Sequence, residues 1–399
     1  MKCRIIAPAG RVPMLDILRV CAVQLVFGRH LMPLTNDGPR VVLRFAHTVG
    51  RAAAGMDILF VLSGFLVASI LFRDFQRSGR LHVGRFLLRR GFKIYPAYVV
   101  YLFASIPLAK LLGQSPPTTG QLTAHLLFFQ NYYPHFLEHW VHLWSLAVEE
   151  HFYIGIAGAL LLARWVGRES ANPFRWIPGA FLGSALICLT WRCILAASQP
   201  FEFYRNFPPT HLRMDTLLFG VAVAYCFHFH RERAERIAAR FRTWLWLGGV
   251  AGLMPAFCVG LANPFTFTFG FTLYYLATGA LIAATMVTPM DPSSLLARAA
   301  TFLATRSYSI YLWHMLAFLA VRQYFISYEP QLGKIWLLNT VTSIVVAVVI
   351  GSVMAILVEL PILRLRDRWV PGDKALSTSP PPVEELPAEP AETRLQTIE

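Results

Sequence analysis

Long apolar blocks separated by short basic segments limit what this chain can fold into more than any other feature. Many blocks are near twenty residues long, the length of an α-helix that crosses a hydrocarbon layer about 30 Å thick. Strands of a transmembrane barrel would instead alternate polar and apolar residues in segments of about 10. Since the chain is 56% hydrophobic and only 15% charged, with a mean hydropathy of +0.50, the sequence predicts an all-α, polytopic membrane helical bundle.

The apolar blocks predict ten transmembrane helices. They are residues 15–34, 56–72, 94–112, 143–163, 177–197, 211–229, 244–261, 267–287, 308–325 and 335–360. A further block, 122–133, is too short to cross and predicts a re-entrant or interfacial helix. Basic segments at 73–93, 164–175, 228–242 and 364–368 fall on one side of this arrangement. The positive-inside rule assigns that side to the cytoplasm, with both termini.

Composition also excludes several classes of function. The net charge of +14 comes from basic residues between apolar blocks, where they set orientation, so nucleic acid is not an expected partner. The six cysteines form no CxxC pair, so we predict no metal site and no disulfide framework. Residues 371–399 are rich in Pro, Glu, Ala and Ser and predict a disordered tail, which leaves 1–370 as the membrane domain.

The first predicted span carries charges where a membrane helix normally has none. Asp16, Arg19 and His30 lie in LDILRVCAVQLVFGRH, and helical geometry returns His30 to within ~20° of the face of Arg19, ~16 Å further along. Intramembrane charges usually face the bundle interior or a cavity, so we predict that this stripe lines a reaction chamber. His30 is the candidate base and Arg19 a candidate anion ligand. An interfacial histidine, and an arginine paired locally with Asp16, are the structural alternatives.

Residues 73–93 contain seven positive charges and a single acidic residue, Asp74. Any cytoplasmic loop attracts basic residues, but this density also suits a phosphate-rich ligand, which arginine grips with two parallel hydrogen bonds. The segment IYP at 94–96 is expected to mark where the next span begins. The candidate ligands to the anion are Arg85, Arg89, Arg90 and Lys93, together with Tyr95 in the IYP segment.

Ionisable residues in three later spans are further candidates. Glu149 and Glu150 are expected at the start of a span, with His142 in similar helical phase to Glu149. Glu149 could orient or polarise a catalytic imidazole, whereas a place at the helix N-terminus, where the helix dipole favours negative charge, is the preferred explanation for Glu150. The remaining candidates are Arg213 and Asp215, which are expected to pair with each other in a structural role, and His314 near an aromatic-rich span end.

Taken together, these segments resemble the membrane acyltransferase-3 family, the bacterial O-acetyltransferases of surface polysaccharides, Nod factors and macrolides. Arg19 and His30 match the family's R-x10-H signature. The likeness continues through GMDILFVLSGFL (55–66), RRGFKIYPAY (89–98), HLWSLAVEEHFY (142–153), RMDTLLFG (213–220), SYSIYLWH (307–314) and ELP (359–361). The departures from the family pattern are Met56, Ile58, Ala147 and His151, and none of them replaces an ionisable residue assigned above.

The resemblance implies an O-acyltransferase of the bacterial cytoplasmic (inner) membrane. It implies acetyl-CoA or another acyl-CoA as co-substrate, with no bound cofactor, and His30 and Arg19 as essential residues. The acceptor would be a carbohydrate or glycolipid such as an exopolysaccharide, O-antigen or lipo-oligosaccharide, and glycan-assembly proteins are possible partners. Direct transfer and a covalent acyl-histidine intermediate both remain open. The alternatives are a proton-coupled transporter or flippase and a catalytically idle partner in a glycan-export complex.

Overall fold

Helices form all the regular structure in the part of the chain that the computed structural model describes. That part is residues 12–33, 36–52, 54–167, 170, 172–329, 331 and 333–371. Within these ranges the structure has no strands, so the predicted all-α fold class is confirmed. The predicted tail lies outside the described residues, except for its first residue.

The described chain contains sixteen α-helices, joined by short 3₁₀ and π segments. The α-helices are α1 (Pro13–His30), α2 (Arg40–Arg51), α3 (Gly55–Ser78), α4 (Val83–Leu111), α5 (Thr119–Leu126), α6 (Trp144–Val166), α7 (Ile177–Ser198), α8 (Phe203–Asn206), α9 (Met214–Phe229), α10 (Arg231–Arg240), α11 (Arg242–Leu253), α12 (Pro255–Cys258), α13 (Phe271–Met286), α14 (Leu295–Ile326), α15 (Trp336–Met354) and α16 (Leu360–Trp369). The 3₁₀ segments are Gln130–Tyr132, Glu138–Leu143 and Thr210–Leu212, and the π segments are Thr266–Gly270 and Ala355–Glu359.

Six helical segments among the described residues are long and apolar enough to cross a membrane. They are Arg40–Ser78, Val83–Leu111, Glu138–Val166, Ile177–Ser198, Thr266–Met286 and Trp336–Trp369. Helix α1 is not among them, because Asp16, Arg19 and Arg29 fall within its 18 residues. The apolar helix α9 has only 16 residues. Ten crossings, and the cytoplasmic location of both ends, therefore stay predictions.

The prediction of a basic loop over residues 73–93 is wrong. Arg73 and Arg77 belong to the end of α3, which stops at Gly79 with φ of 65°, and α4 already begins at Val83. The IYP segment does not start a new span, since Pro96 lies inside α4. Arginine and lysine are good helix formers, so a basic cluster indicates a side of the membrane without indicating a break in the helix.

Three other boundaries also differ from the predictions. The loop between the first two predicted spans contains α2, and α14 begins at Leu295, thirteen residues before the predicted start, where Ser294 caps the backbone N–H of Ala297 at 3.3 Å. The short block at 122–133 forms the eight-residue helix α5 and a 3₁₀ turn. In α14, polar and arginine residues extend the helix beyond its apolar part, so hydropathy alone placed its start too late.

Helices α3 and α9 pack with their backbones in close contact. A Cβ atom added at Gly64 would lie 2.1 Å from the carbonyl oxygen of Leu217, and one at Gly220 would lie 2.2 Å from that of Val61. Small residues allow membrane helices to approach this closely. The glycines of the LSGFL and LLFG segments therefore set the spacing of the two helices that hold the centre of the bundle.

Replacing Gly220 with alanine should destabilise the protein by about 1–3 kcal/mol, because the new methyl group has no space against α3. The measurement is the thermal unfolding midpoint of the purified protein in detergent. Gly155 in α6 is the matched control, since nothing lies within 4 Å of the Cβ that alanine would add there. Equal midpoints for Gly220→Ala and Gly155→Ala would contradict the proposed role of the contact.

Candidate active site

Helix α1 lines two adjoining cavities, one at each end of its predicted polar stripe. We call the first the cationic cavity, because Arg19, Arg90 and Lys93 line it together with Glu149; it encloses about 830 Å³ of empty space, part of it open to solvent. We call the second the histidine cavity, because His30 and His142 line it; it encloses about 510 Å³. The structure therefore places Arg19 and His30 in two cavities that share lining residues.

A chain of polar contacts forms one wall of the cationic cavity. The Tyr153 hydroxyl donates to Glu149 Oε2 at 2.8 Å, and Ser63 Oγ lies 2.6 Å from the same hydroxyl. The guanidinium of Arg90 lies over the Tyr153 ring, 4.7 Å from its centroid. Lys93 Nζ donates to Glu359 Oε1 at 3.3 Å. These contacts hold a carboxylate and two cations around an open space, which suits a ligand carrying both phosphate and amide groups.

Three imidazole rings cluster at the histidine cavity. The ring centroids of His30 and His314 are 5.4 Å apart, and those of His142 and His314 are 4.7 Å apart. Phe27 stacks on His314 at 4.8 Å. His142 and His314 are both buried, so packing fixes the surroundings of the His30 ring.

The backbone partners of His142 and His314 define which ring nitrogen carries the proton. His142 Nε2 lies 3.0 Å from the carbonyl oxygen of Leu312, and His314 Nδ1 contacts that of Tyr311. Because a carbonyl oxygen only accepts, both ring nitrogens donate. His142 Nδ1 and His314 Nε2 are buried and have no hydrogen-bond partner among the described residues. In the neutral rings these two atoms are free acceptors next to His30.

Met56 and Tyr311 line both cavities and form the partition between them. The Tyr311 hydroxyl donates to the carbonyl oxygen of His142 at 2.8 Å and lies 3.7 Å from Met56 Sδ. It is also 2.8 Å from Ser145 Oγ. Met56 and Tyr311 are therefore the side chains that the two cavities have in common.

The structure does not place Glu149 beside His30, as expected for a residue that orients the imidazole. Glu149 lines the cationic cavity, whereas His30 lines the histidine cavity. The prediction that His142 and Glu149 share a helical phase is wrong, because His142 belongs to the 3₁₀ segment Glu138–Leu143. Helix α6 begins at Trp144, so Glu149 and Glu150 lie in its second turn and not at its N-terminus. The neighbours of His30 are His142 and His314.

The predicted anion ligands divide into two groups. Arg90 and Lys93 line the cationic cavity. Arg85 donates to Asp74 at 2.8 Å, and Arg89 donates to Asp367 at 2.8 Å and to the Val370 carbonyl oxygen. Tyr95 donates to Glu150 Oε2 at 2.8 Å. Asp367 and Glu150 lie far in the sequence from the residues that donate to them. Hydropathy therefore gives no signal for these contacts.

The prediction that Arg213 and Asp215 pair with each other is wrong. Arg213 donates to Asp57 of α3 at 2.9 Å, and Arg192 of α7 donates to Asp215 at 2.7 Å; all four side chains are 0% exposed. Neither pair lines a cavity described above, which agrees with a structural role. Asp16 accepts from Thr301 Oγ1 of α14 at 3.0 Å.

Several residues around the two cavities were not predicted. They are Arg29, Met56, Ser63, Tyr153 and Tyr311. Tyr311 lies three residues before His314, so helical spacing could have associated the two side chains. No group of three or more His, Cys, Asp or Glu side chains within the described ranges is arranged to hold a metal ion. His314 was expected at a span end, but it lies in the interior of α14.

The fold and its cavities define a helical protein with membrane-spanning segments and an interior that carries cations, carboxylates and imidazoles. The profile of the acyltransferase domain family, acyltransferase 3, matches residues 12–360, so the chain belongs to this family of acyltransferases. The predicted family is confirmed. No solved structure matches the chain.

Similar curated proteins carry the same assignment in their names. Peptidoglycan O-acetyltransferase OatA of Listeria monocytogenes serovar 1/2a is 28% identical over 332 residues, which cover 76% of this chain and 49% of the relative. Putative peptidoglycan O-acetyltransferase YrhL of Bacillus subtilis (strain 168) is 27% identical over 331 residues, 76% of this chain and 48% of the relative. This chain thus spans about half the length of the curated relatives it matches.

Breaking the buried Arg213–Asp57 pair should destabilise the fold strongly. Arg213→Met leaves the Asp57 carboxylate buried without its partner, and we expect a loss of about 3–5 kcal/mol. Adding Asp57→Asn should recover part of that loss, as the thermal unfolding midpoint in detergent would show. Arg205→Met removes the exposed Arg205–Glu202 pair and should cost less than about 1 kcal/mol. A double variant no more stable than Arg213→Met would argue against the pairing.

Proposed function

We propose that this protein transfers an acyl group, normally acetyl, from cytoplasmic acyl-CoA to a hydroxyl of a carbohydrate acceptor. The acceptor is an exopolysaccharide, O-antigen or lipo-oligosaccharide, or another cell-surface glycan. The observation that carries this proposal is the placement of Arg19 and His30 on one helix, in two cavities that share Met56 and Tyr311 as lining residues. Such a passage suits a long donor whose charged end and reactive end must be held apart.

Donor binding follows from the charges of the cationic cavity. The phosphates of acyl-CoA lie against Arg90 and Lys93, which line the cavity, whereas Arg85 and Arg89 are held by Asp74 and Asp367. The arm of the donor passes Arg19 and reaches the partition at Met56 and Tyr311, which brings the thioester towards His30. The ~16 Å rise from Arg19 to His30 along α1 separates the charged end of the donor from the reacting carbon.

Acyl transfer at the histidine cavity needs one base. His30 removes the proton of the acceptor hydroxyl, and the oxygen attacks the thioester carbonyl carbon. The carbon–sulfur bond then breaks, the new ester is released, and the CoA thiolate takes the proton from His30. The free acceptor atom of His142, which lines the cavity, holds an N–H of the donor, and His314 packs beside the His30 ring. Both are positioning residues in this mechanism.

A polysaccharide acceptor and a membrane location are supported from separate sources. Two of the similar proteins are named for O-acetylation of peptidoglycan, which is a surface polysaccharide. The spanning segments support insertion in a bilayer, and the positive-inside rule supports the cytoplasmic membrane with the basic end of α4 inside. Membership of an acyltransferase family favours the enzyme over a transporter or flippase. Glycan-assembly proteins are the proposed partners that present the acceptor.

His30→Ala should lower ester-linked acetyl on surface glycans by at least about 100-fold, because it removes the base. Mass spectrometry of glycans from cells that carry the variant as their only copy provides the measurement. His47→Ala is the control, since His47 is a half-buried histidine of α2 that contacts Asn36 and lines none of the cavities described above, and it should retain full activity. Normal acetylation by an abundant, inserted His30→Ala protein would exclude His30 as the base.

Arg90→Gln should raise the KM for acetyl-CoA about tenfold, because it removes one charge-assisted contact to the donor. Arg89→Gln should change the KM by less than about twofold, since Arg89 is held by Asp367 at the surface. Raising the salt concentration should weaken donor binding in the parent more than in Arg90→Gln. Equal effects of the two substitutions would show that the cationic cavity does not select the donor.

A further inference from the structure

A third cavity, here called the outer cavity, also borders His30. It has about 500 Å³ of empty space, part of it open to solvent, and its lining includes His30, Glu138, Phe318, Arg322, Trp336 and Asn339. Among the described residues, His30 alone lines both this cavity and the histidine cavity. The imidazole therefore separates a space reached from the donor side from a space beyond the end of α1.

We propose that the outer cavity is the acceptor site and holds an uncharged sugar unit with its hydroxyl against His30. This inference rests on the proposed function and deepens it, because it assigns the acceptor to named residues and excludes the histidine cavity as its binding place. The donor thioester and the acceptor hydroxyl then meet at the two faces of one side chain.

The ion pair at the outer cavity fits a neutral, hydroxyl-rich ligand. Arg322 donates to both carboxylate oxygens of Glu138, at 2.5 and 3.0 Å. Their side chains are 27% and 41% exposed, so N–H donors and carboxylate lone pairs still face open space. Because the two charges compensate each other, the site offers hydrogen bonds in both directions without a net attraction for an acidic or basic group.

Asn339 supplies an unsatisfied acceptor in the same cavity. Its Oδ1 is buried and has no hydrogen-bond partner among the described residues. A buried polar atom of this kind is unfavourable until a donor reaches it, and a sugar hydroxyl is such a donor. Phe318 and Trp336 also line the cavity and provide apolar surface for the C–H faces of a sugar ring. Trp336 Nε1 donates to the Leu31 carbonyl oxygen at 2.6 Å, which fixes the wall beside His30.

Cysteine placed in the outer cavity tests the assignment. Asn339→Cys and Pro33→Cys, both at lining positions, are made in the full chain in cells. The probe is a membrane-impermeant sulfonatoethyl methanethiosulfonate added from outside. Labelling should lower the rate of glycan acetylation by about tenfold or more, because the adduct occupies the sugar site, while acetyl-CoA binding by the labelled protein stays within about twofold of the unlabelled value.

Gln323→Cys is the matched control, since Gln323 lies on α14 next to Arg322 but is exposed and does not line the cavity. It should be labelled without loss of acetylation, as should the parent chain with its native cysteines. If the removal of the Asn339 amide already lowers acetylation with unchanged acetyl-CoA binding, the acceptor site is supported. Unchanged acetylation after confirmed labelling at both positions, or no labelling from outside, would overturn it.

The same cells carrying His30→Ala distinguish a failure of the acceptor site from a failure of the proposed function. If His30→Ala abolishes acetylation but labelling in the outer cavity does not, the acceptor assignment fails and the proposed function stands. If His30→Ala leaves acetylation intact, the proposed function itself fails.

Discussion

Pairing of charges inside an apolar bundle is the constraint on which the rest of this structure depends. Arg213 and Asp57 join the start of α9 to α3, and Arg192 and Asp215 join α7 to α9, with all four side chains fully buried. An ion left without its partner in such surroundings would carry a large desolvation penalty. The pairs therefore fix α3 against its neighbours, and α3 is the helix that supplies Met56 and Ser63 to the cavities.

Other charged side chains inside the bundle border a cavity, and this position defines the site. Arg19, Arg90 and Glu149 border an open space, although each would be costly in contact with lipid. Two buried acceptor atoms, His142 Nδ1 and Asn339 Oδ1, have no hydrogen-bond partner among the described residues and belong to side chains that line cavities. A stable bundle would satisfy or remove such groups, so their retention is what we expect where substrates supply the missing partners.

The segments that resemble the acyltransferase-3 family serve two physical purposes in this structure. Gly64 and Gly220 allow α3 and α9 to touch, and Arg213 forms a buried pair, so these residues build the frame. His30 and Tyr311 line the passage that crosses the frame. A motif of this kind therefore contains packing residues and chemical residues side by side, and its presence alone does not assign a role to either.

The sequence by itself determined the helical fold class and the stripe of α1, because apolar block length and helical phase are local properties. It also pointed to His30 and Arg19 as residues that line an interior space, and to Arg90 as a candidate anion ligand. Only the tertiary structure decided partners: Arg213 with Asp57, Arg89 with Asp367, and His142 with His314 beside His30. The residues of the two ion pairs are 156 and 278 positions apart. Contacts between such distant residues leave no periodic pattern in a single sequence. Helix boundaries at α4 and α14 were likewise decided by continuous helix formation through basic residues, which hydropathy cannot distinguish from a loop.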